Sequence, residues 1–384
     1  MSESQPLDGL AVLPVRGIGD VTPGDDLAEL IATAAPWLRD GDVLVVTSKI
    51  ISKSEGRLVD VPADGPAREV ARAEALRAET VRLVARRGRT AIVQTRHGFV
   101  MAAAGIDASN VDKTHLVLLP LDPDASARAL RSALRARTGR DVGVVVSDTM
   151  GRTWRNGLTD VALGAAGVAP FRDHRGEIDP YGNELELTEM AVIDELAAAG
   201  ELVKGKCDQV PVAVVRGYPR AGGADGPGAV ALVRNAAEDM FSLGTAEARA
   251  AGRTDVAVLA DRVELPGGPV DPAAVTRALA TVAPVIAPGT VFTVAAPHTG
   301  TGTAAGDATT TRNPGTVADA GRRPGAAVVV TCSPAGLEPT GLEPTALIRF
   351  GADVHRLRAA LSAEGLESSV VSDGTDVRLT VSGT

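Results

Sequence analysis

Five short runs of aliphatic, mostly β-branched residues constrain the fold most. They are DVLVV (Asp42–Val46), TAIVQ (Thr90–Gln94), HLVLLP (His115–Pro120), VGVVVS (Val142–Ser147) and VPVAVV (Val210–Val215), and each reads as a strand. Their near-continuous apolar character calls for burial on both faces. Helical periodicity lies between them. Asp25–Leu38 places Leu27, Leu30, Ile31 and Ala34 at helical spacing. Pro66–Arg87 reads as one long helix with a basic polar side. Asp124–Thr138 follows the Asp122-Pro123 start signal and stops at Gly139. Glu189–Ala199 and Thr245–Ala251 are further helical segments. The alternation implies an α/β class with mixed α+β sheets and leaves strand order open.

The chain has 384 residues, which at about 150 residues per domain implies two to three domains. Composition shifts near Arg253, and the C-terminal part holds no lysine. The expected division is 1–253 and 254–384, the second a small α+β domain. Within it, Thr299–Ala327 is rich in Thr, Gly and Ala, and 336–345 is the direct repeat GLEPT-GLEPT. A flexible loop is expected over about 299–345. Ala352–Glu364 reads as a helix, followed by strands at Ser369–Ser372 and Asp376–Val381.

A net charge of −9 disfavours broad nucleic-acid binding, and 2% aromatics leave no stacking platform for single strands. No apolar run is long enough to span a membrane, and the N-terminal segment lacks the pattern of a secretory signal. Two cysteines are too few for a disulfide framework or a cysteine zinc site, so a cytoplasmic setting is expected. An acidic protein that binds phosphates needs local cations. The only five lysines are Lys49, Lys53, Lys113, Lys204 and Lys206.

Five polar segments could carry chemistry. Ser147-Asp148-Thr149-Met150-Gly151-Arg152 follows a buried strand, where α/β sheets bind ligands. Asp148 and Thr149 are hard oxygen donors suited to Mg²⁺ or Mn²⁺. Gly151 permits close approach of an anion, and Arg152 and Arg155 add fixed positive charge. The competing reading is a capped turn. Asp107, in Gly105–Asn110, could complete a metal site with Asp148, and Asn110 could hold a hydroxyl or phosphate; an ordinary Asx turn is the alternative. Ser48 and Lys53 follow the strand Asp42–Val46 and suit phosphate oxygens, against a solvated loop. Asp179–Glu184 is a tight turn that either binds a polar ligand through Tyr181 and Asn183 or simply closes. Lys204-Gly205-Lys206 is an anion site or a solvated edge. No P-loop or nucleophile elbow occurs, and Gly17-Ile18-Gly19 begins a dinucleotide fingerprint that Thr22 breaks.

Seven ordered segments, LPVRGIGDVTPGDDL, DGDVLVVTSKIISKSEGR, AAAGIDASNV, VVVSDTMGRTWRNGLTDVALGAAG, DPYGNELELTEMAVIDELA, LVKGK and EDMFSLGTAEA, resemble the coenzyme F-420:L-glutamate ligase family over about residues 10–253. The two-domain actinobacterial type is the nearest likeness. The resemblance implies that family's ligase fold and a GTP-dependent reaction. GTP converts the phospholactyl carboxylate of coenzyme F-420-0 to an acyl phosphate, and the amine of L-glutamate displaces it. GDP and phosphate leave, and further glutamates add through γ-carboxylates. It implies metal positions at Asp107, Asp148 and Thr149, with Mg²⁺ or Mn²⁺ and K⁺ as a candidate monovalent ion. Nucleotide positions fall at Ile18, Gly19, Asp20, Val21, Ser48, Lys53 and Asn110. Asp148, Arg152 and Arg155 become the candidate catalytic groups, and a homodimer is implied.

Residues 254–384 faintly resemble a shortened nitroreductase domain. The paired-arginine entry motif is missing, with Asp261-Arg262-Val263-Glu264 near its place, so FMN is not expected. Two other readings compete with the ligase. One is an FMN-dependent oxidoreductase acting on the dehydro precursor of the coenzyme. The other is a noncatalytic GTP- or deazaflavin-binding protein.

Overall fold

The computed structural model describes residues 9–109, 111–206, 208–219, 221–259, 265–295, 328–334 and 344–383. In chain order the elements are β1 (Ala11–Val15), α1 (Leu27–Ala34), β2 (Val43–Thr47), α2 (Ser48–Ser54), β3 (Leu58–Asp60), α3 (Gly65–Glu79), β4 (Thr80–Arg87), β5 (Thr90–Thr95), β6 (Val100–Ala102), β7 (His115–Val117), α4 (Pro123–Thr138), β8 (Gly143–Arg152), β9 (Arg155–Ala166), β10 (Arg172–Asp173), β11 (Glu189–Met190), α5 (Val192–Lys204), β12 (Val212–Arg216), α6 (Thr245–Ala257), α7 (Pro272–Val282), β13 (Thr290–Ala295), β14 (Val328–Pro334), α8 (Pro344–Ala363), β15 (Leu366–Asp373) and β16 (Asp376–Gly383). The chain divides into two compact units, Met1–Glu247 and Ala248–Thr384.

The first unit is built on a five-stranded sheet in the order β1-β12-β2-β8-β9. Only β2 and β8 run parallel; the other pairs are antiparallel. Strand alternation explains the continuous apolar runs. Leu44, Val46, Val144 and Val146 pack with Leu27 and Ile31 of α1 and Leu130 and Leu134 of α4. Val43, Val45 and Val145 point to the other face and pack with Ile193, Leu196 and Ala197 of α5. Neither face could carry polar residues without stranding them in a core. At Gly164, a methyl group would lie 2.2 Å from the Pro123 carbonyl oxygen, which is how the start of α4 seats against β9.

Two sequence readings need correction. Pro66–Arg87 is not one helix: α3 ends at Glu79 and the chain continues as β4. The Ala- and Arg-rich stretch favours helix locally, but the ladder of β4 to β5 supplies the nonlocal partner that overrides propensity. Likewise, the strand that begins at Gly143 does not stop at Ser147. It runs on to Arg152 and turns back as β9, so the SDTMGR segment is strand rather than glycine turn.

The second unit is a four-stranded antiparallel sheet, β13-β14-β16-β15, with α7 and α8 in a single core around Phe292, Val330, Leu357, Leu361 and Leu379. Buried Asp353 of α8 accepts hydrogen bonds from the Ala287 amide and the Thr290 hydroxyl, each at 2.9 Å, and so ties the helix to the entry of β13. The Thr/Gly-rich segment, nearly all of the GLEPT repeat, and residues 261–264 lie outside the described residues, but the loop expected over about 299–345 is interrupted: Val328–Pro334 is β14, paired on both sides by β13 and β16. Among the described residues no helix is long and apolar enough to cross a membrane.

Candidate active site

The parallel pair β2–β8 creates the site. Thr47 is in register with Ser147; beyond that pair Ser48 leaves the sheet to open α2, while Asp148 continues in β8 opposite Val161. Ser48 opens α2 directly, whose buried face includes Ser48, Ser52 and Lys53; the segment is a helix and not a solvated loop. Lys53 donates to Asp20 at 2.7 Å. That contact brings the Ile18–Val21 loop to α2. Ile18 and Val21 themselves are buried in the core, so the loop offers its backbone and Asp20 outward.

Asp107 arrives from a loop that enters through two left-handed alanines, Ala103 (φ 50) and Ala104 (φ 54). Its backbone pairs with Val117 at the end of β7 through two 2.9 Å bonds. Lys49 of α2 joins this loop to the sheet edge, with its ammonium 2.7 Å from the Asp107 carboxylate and 3.0 Å from both oxygens of Ser109. Burial works against the Asp107 charge, but Lys49 and the Ser109 amide outweigh it and hold the carboxyl below its ordinary range. Asp148 behaves oppositely. Burial pushes it up to about 7, the Thr149 amide opposes this only in part, and the charges of Asp107 and Asp160 add to the rise. Asn110 lies outside the described residues.

Alternation separates Thr149 from Asp148. Ser147 and Thr149 share the α5 face with Val145, whereas Asp148 shares the opposite face with Val144 and Val146. Thr149 pairs across the hairpin with Asp160 and donates its hydroxyl proton to that carboxylate at 2.7 Å. Asp160 also takes Ser147 at 2.9 Å and Lys204 at 2.8 Å. Burial opposes the Asp160 charge, yet Lys204 and these hydrogen bonds leave its carboxyl lowered. Lys206, half a turn on, bonds Glu201 at 2.8 Å and also meets the Thr149 hydroxyl.

Arg152 and Arg155 stand at the exposed end of the hairpin, where Arg152 bonds the Asn156 carbonyl. At about 3.4 Å per residue, Arg152 is about 14 Å along the strand from Asp148. The structure therefore joins Lys53 to Asp20 and Lys49 to Asp107 along α2, which opens at Ser48, sets Asp107 close enough to raise the Asp148 carboxyl, and leaves the two arginines apart. The Asp179–Glu184 segment closes on itself, with Asp179 accepting from the amides of Tyr181 and Asn183.

Sequence reasoning missed the buried pair Asp160–Lys204, whose side chains are 2% and 1% exposed. The signal was present. Ile193, Ala197, Gly200 and Lys204 recur at steps of four, three and four, on the buried stripe of α5. Lys204 is thus neither solvated edge nor open anion site.

Among the described residues no group of three or more His, Cys, Asp and Glu has metal-holding geometry. The set at the sheet edge is different in kind: two carboxylates with hydroxyl oxygens nearby. All are hard donors, which fit Mg²⁺ or Mn²⁺. A half-buried Asp148 in the field of the negative charges of Asp107 and Asp160 is also what a divalent cation would relieve.

The family profile described as F420-0:Gamma-glutamyl ligase matches residues 17–217. The coenzyme F420:L-glutamate ligase of Methanothermobacter thermautotrophicus is 42% identical over 228 residues, covering 55% of this chain and 90% of that protein. The ligase of the same name from Methanopyrus kandleri is 40% identical over 249 residues, 61% of this chain and 98% of that protein. That from Archaeoglobus fulgidus is 43% identical over 222 residues, 55% of this chain and 89% of that protein. The profile spans four of the five strands of the sheet, both carboxylates and the α5 lysine, and on that match the chain belongs to the F420-0:gamma-glutamyl ligase family, a family of amide-forming ligases.

Proposed function

We propose that this protein joins L-glutamate to the phospholactyl carboxylate of coenzyme F-420-0 at the expense of GTP, and then extends the product with γ-linked glutamates. The observation that carries this reading is the pairing of Asp107 and Asp148 at the edge of β2 and β8, flanked by Lys49, Lys53 and Ser48. A carboxylate does not lose oxide to an amine at neutral pH. Transfer of the γ-phosphoryl group of GTP to the carboxylate gives an acyl phosphate; attack by the glutamate amine then releases phosphate and forms the amide. No side-chain nucleophile is needed, so the protein's task is positioning and charge compensation.

In this reading Ser48, Lys53, Asn110 and the backbone of Ile18–Val21 take the nucleotide. Asp107 and Asp148 hold Mg²⁺ or Mn²⁺; Thr149, which the resemblance implies as a third ligand, has its hydroxyl committed on the other face to Asp160 and Lys206. The cation, when bound, offsets phosphate charge that lysines alone could not. Arg152 and Arg155, at the hairpin end, supply positive field for the anionic coenzyme rather than contacts at Asp148. The protein works as a cytoplasmic homodimer, with K⁺ as a further ion of the medium to be varied.

Mass spectrometry of the coenzyme after incubation with GTP, Mn²⁺ and glutamate tests the reaction. Stepwise glutamyl additions with matching GDP release are expected; nucleotide binding without any addition would reject it. Lys53→Ala should raise the KM for GTP about tenfold or more and leave the KM for glutamate nearly unchanged, because it removes one charge-assisted phosphate contact. An unaltered GTP dependence would reassign Lys53 to holding Asp20 alone. Deleting residues 254–384 should leave ligation within a few-fold of the parent. The first unit has its own cores, and the second in this reading carries no FMN. A folded truncation without ligation, or stoichiometric flavin in the purified parent, would overturn that assignment.

A further inference from the structure

The buried Asp160–Lys204 pair takes no part in the chemistry proposed above, yet Lys204 is among the largest fully buried side chains of the described residues. Lys204 reaches from the last turn of α5 and donates to Asp160 at 2.8 Å and Ser147 at 2.9 Å; the Thr47 hydroxyl is 3.5 Å away and the Glu201 carboxylate 3.4 Å. Asp160 is equally committed. One oxygen accepts from Lys204 and Ser147, the other from Thr149. Thr47 and Ser147 are the in-register last partners of β2 and β8. Each is followed at once by a site residue, Ser48 or Asp148.

Stability alone is a weak reason for such a pair. Desolvating two charges costs about as much as their attraction returns, and well-packed apolar replacements are often neutral. What the pair does supply is geometry. It ties the last residue of β2 and the middle of β8 and β9 to one ammonium. It also takes the Thr149 hydroxyl proton while Lys206 donates to the same oxygen, so that hydroxyl is committed on the α5 face. A register irregularity between Val146 and Ser147 falls at the same place, a device that re-aims side chains beside functional sites.

We infer that Asp160 and Lys204 are positioning residues for the cation and nucleotide edge, fixing from the opposite face of the sheet the backbone that leads into Ser48 and Asp148. Lys204 also keeps the Asp160 charge internally matched, so Asp160 does not compete for the cation. The inference rests on the cation site of the ligase reading. Groups that orient metal ligands without touching the metal typically cost about 10- to 100-fold in metal affinity when removed.

The test uses the full-length chain and Mn²⁺ itself. In the double variant Asp160→Leu/Lys204→Met, no charge is stranded. It should melt within a few degrees of the parent, bind Mn²⁺ about 10- to 100-fold more weakly by calorimetry, and show a raised KM for Mn²⁺ with kcat at saturating Mn²⁺ largely retained. A folded double variant with parental Mn²⁺ affinity and KM overturns the inference, since a merely structural pair would give that result. If the double variant does not fold, Ser147→Ala decides. It removes the hydroxyl shared by Lys204 and Asp160 without unpairing a charge, and should weaken Mn²⁺ several-fold; no change would overturn the inference. Asp148→Asn runs alongside. If it too leaves Mn²⁺ binding untouched, the cation site itself is misassigned and the inference falls with it; if it alone abolishes binding, only the positioning role fails.

Discussion

Asp148→Asn should fold normally and lose at least about 10²-fold in ligation rate at saturating Mn²⁺, the scale of removing one preorganised electrostatic contact. The asparagine keeps the size and the oxygen that accepts from the Thr149 amide. It removes the negative charge. In the ion-free protein that charge is a burden, because burial and the neighbouring carboxylates Asp107 and Asp160 push the Asp148 carboxyl up to about 7. The sign follows from linkage. A carboxyl raised on folding lowers stability as pH climbs from the ordinary carboxylate range to about 7, and the whole cost is present at pH 8. The ion-free variant should therefore melt at or above the parent at pH 8 while its ligation collapses. Stability and activity moving in opposite directions is the signature of a residue kept for chemistry. Steady-state rates across Mn²⁺ concentration, with thermal melts in chelator, check both halves. A near-parental rate at saturating Mn²⁺ would remove Asp148 from the cation site.

Much of this was legible in the chain because two physical codes are strong. Strands buried on both faces must be apolar throughout, so β2, β8 and β12 stand out before any partner is known. Lysine use was the second. Four of the five lysines converge on the sheet edge: Lys49 on Asp107, Lys53 on Asp20, Lys204 on Asp160 and Lys206 on Thr149. Other features depend on contacts distant in sequence. Ending the α5 helix at Ala199 hides the fact that Lys204 completes its buried stripe. Taking Ser147–Arg152 as a turn hides the period of two that sends Asp148 and Thr149 to opposite faces. That β4 is a strand is decided by β5, which no local window contains. The parallel pairing of β2 with β8 joins residues about a hundred positions apart, and that pairing is what makes Ser48 and Asp148 neighbours.

Asp124→Ala should destabilise the first unit by about 3–5 kcal/mol, since each buried donor left without an acceptor costs about 1–3 kcal/mol. Asp124 is in the first turn of α4, and its carboxylate is buried. One oxygen accepts from the Ala165 amide of β9 at 2.8 Å and the Ala229 amide at 2.7 Å; the other accepts from the Val230 amide at 3.1 Å. Alanine strands three amides at once and opens a void against Gly228, whose backbone approaches the carboxylate too closely for a side chain there. Asparagine separates the causes. It can keep the oxygen shared by Ala165 and Ala229 but turns an amine toward the Val230 amide, so one clash replaces three losses. Asp124→Asn should fall between parent and alanine, at about 1–3 kcal/mol. Denaturant melts of the three proteins measure the order. Equal losses for both variants would mean that the charge at the helix start, rather than the three hydrogen bonds, is what Asp124 contributes.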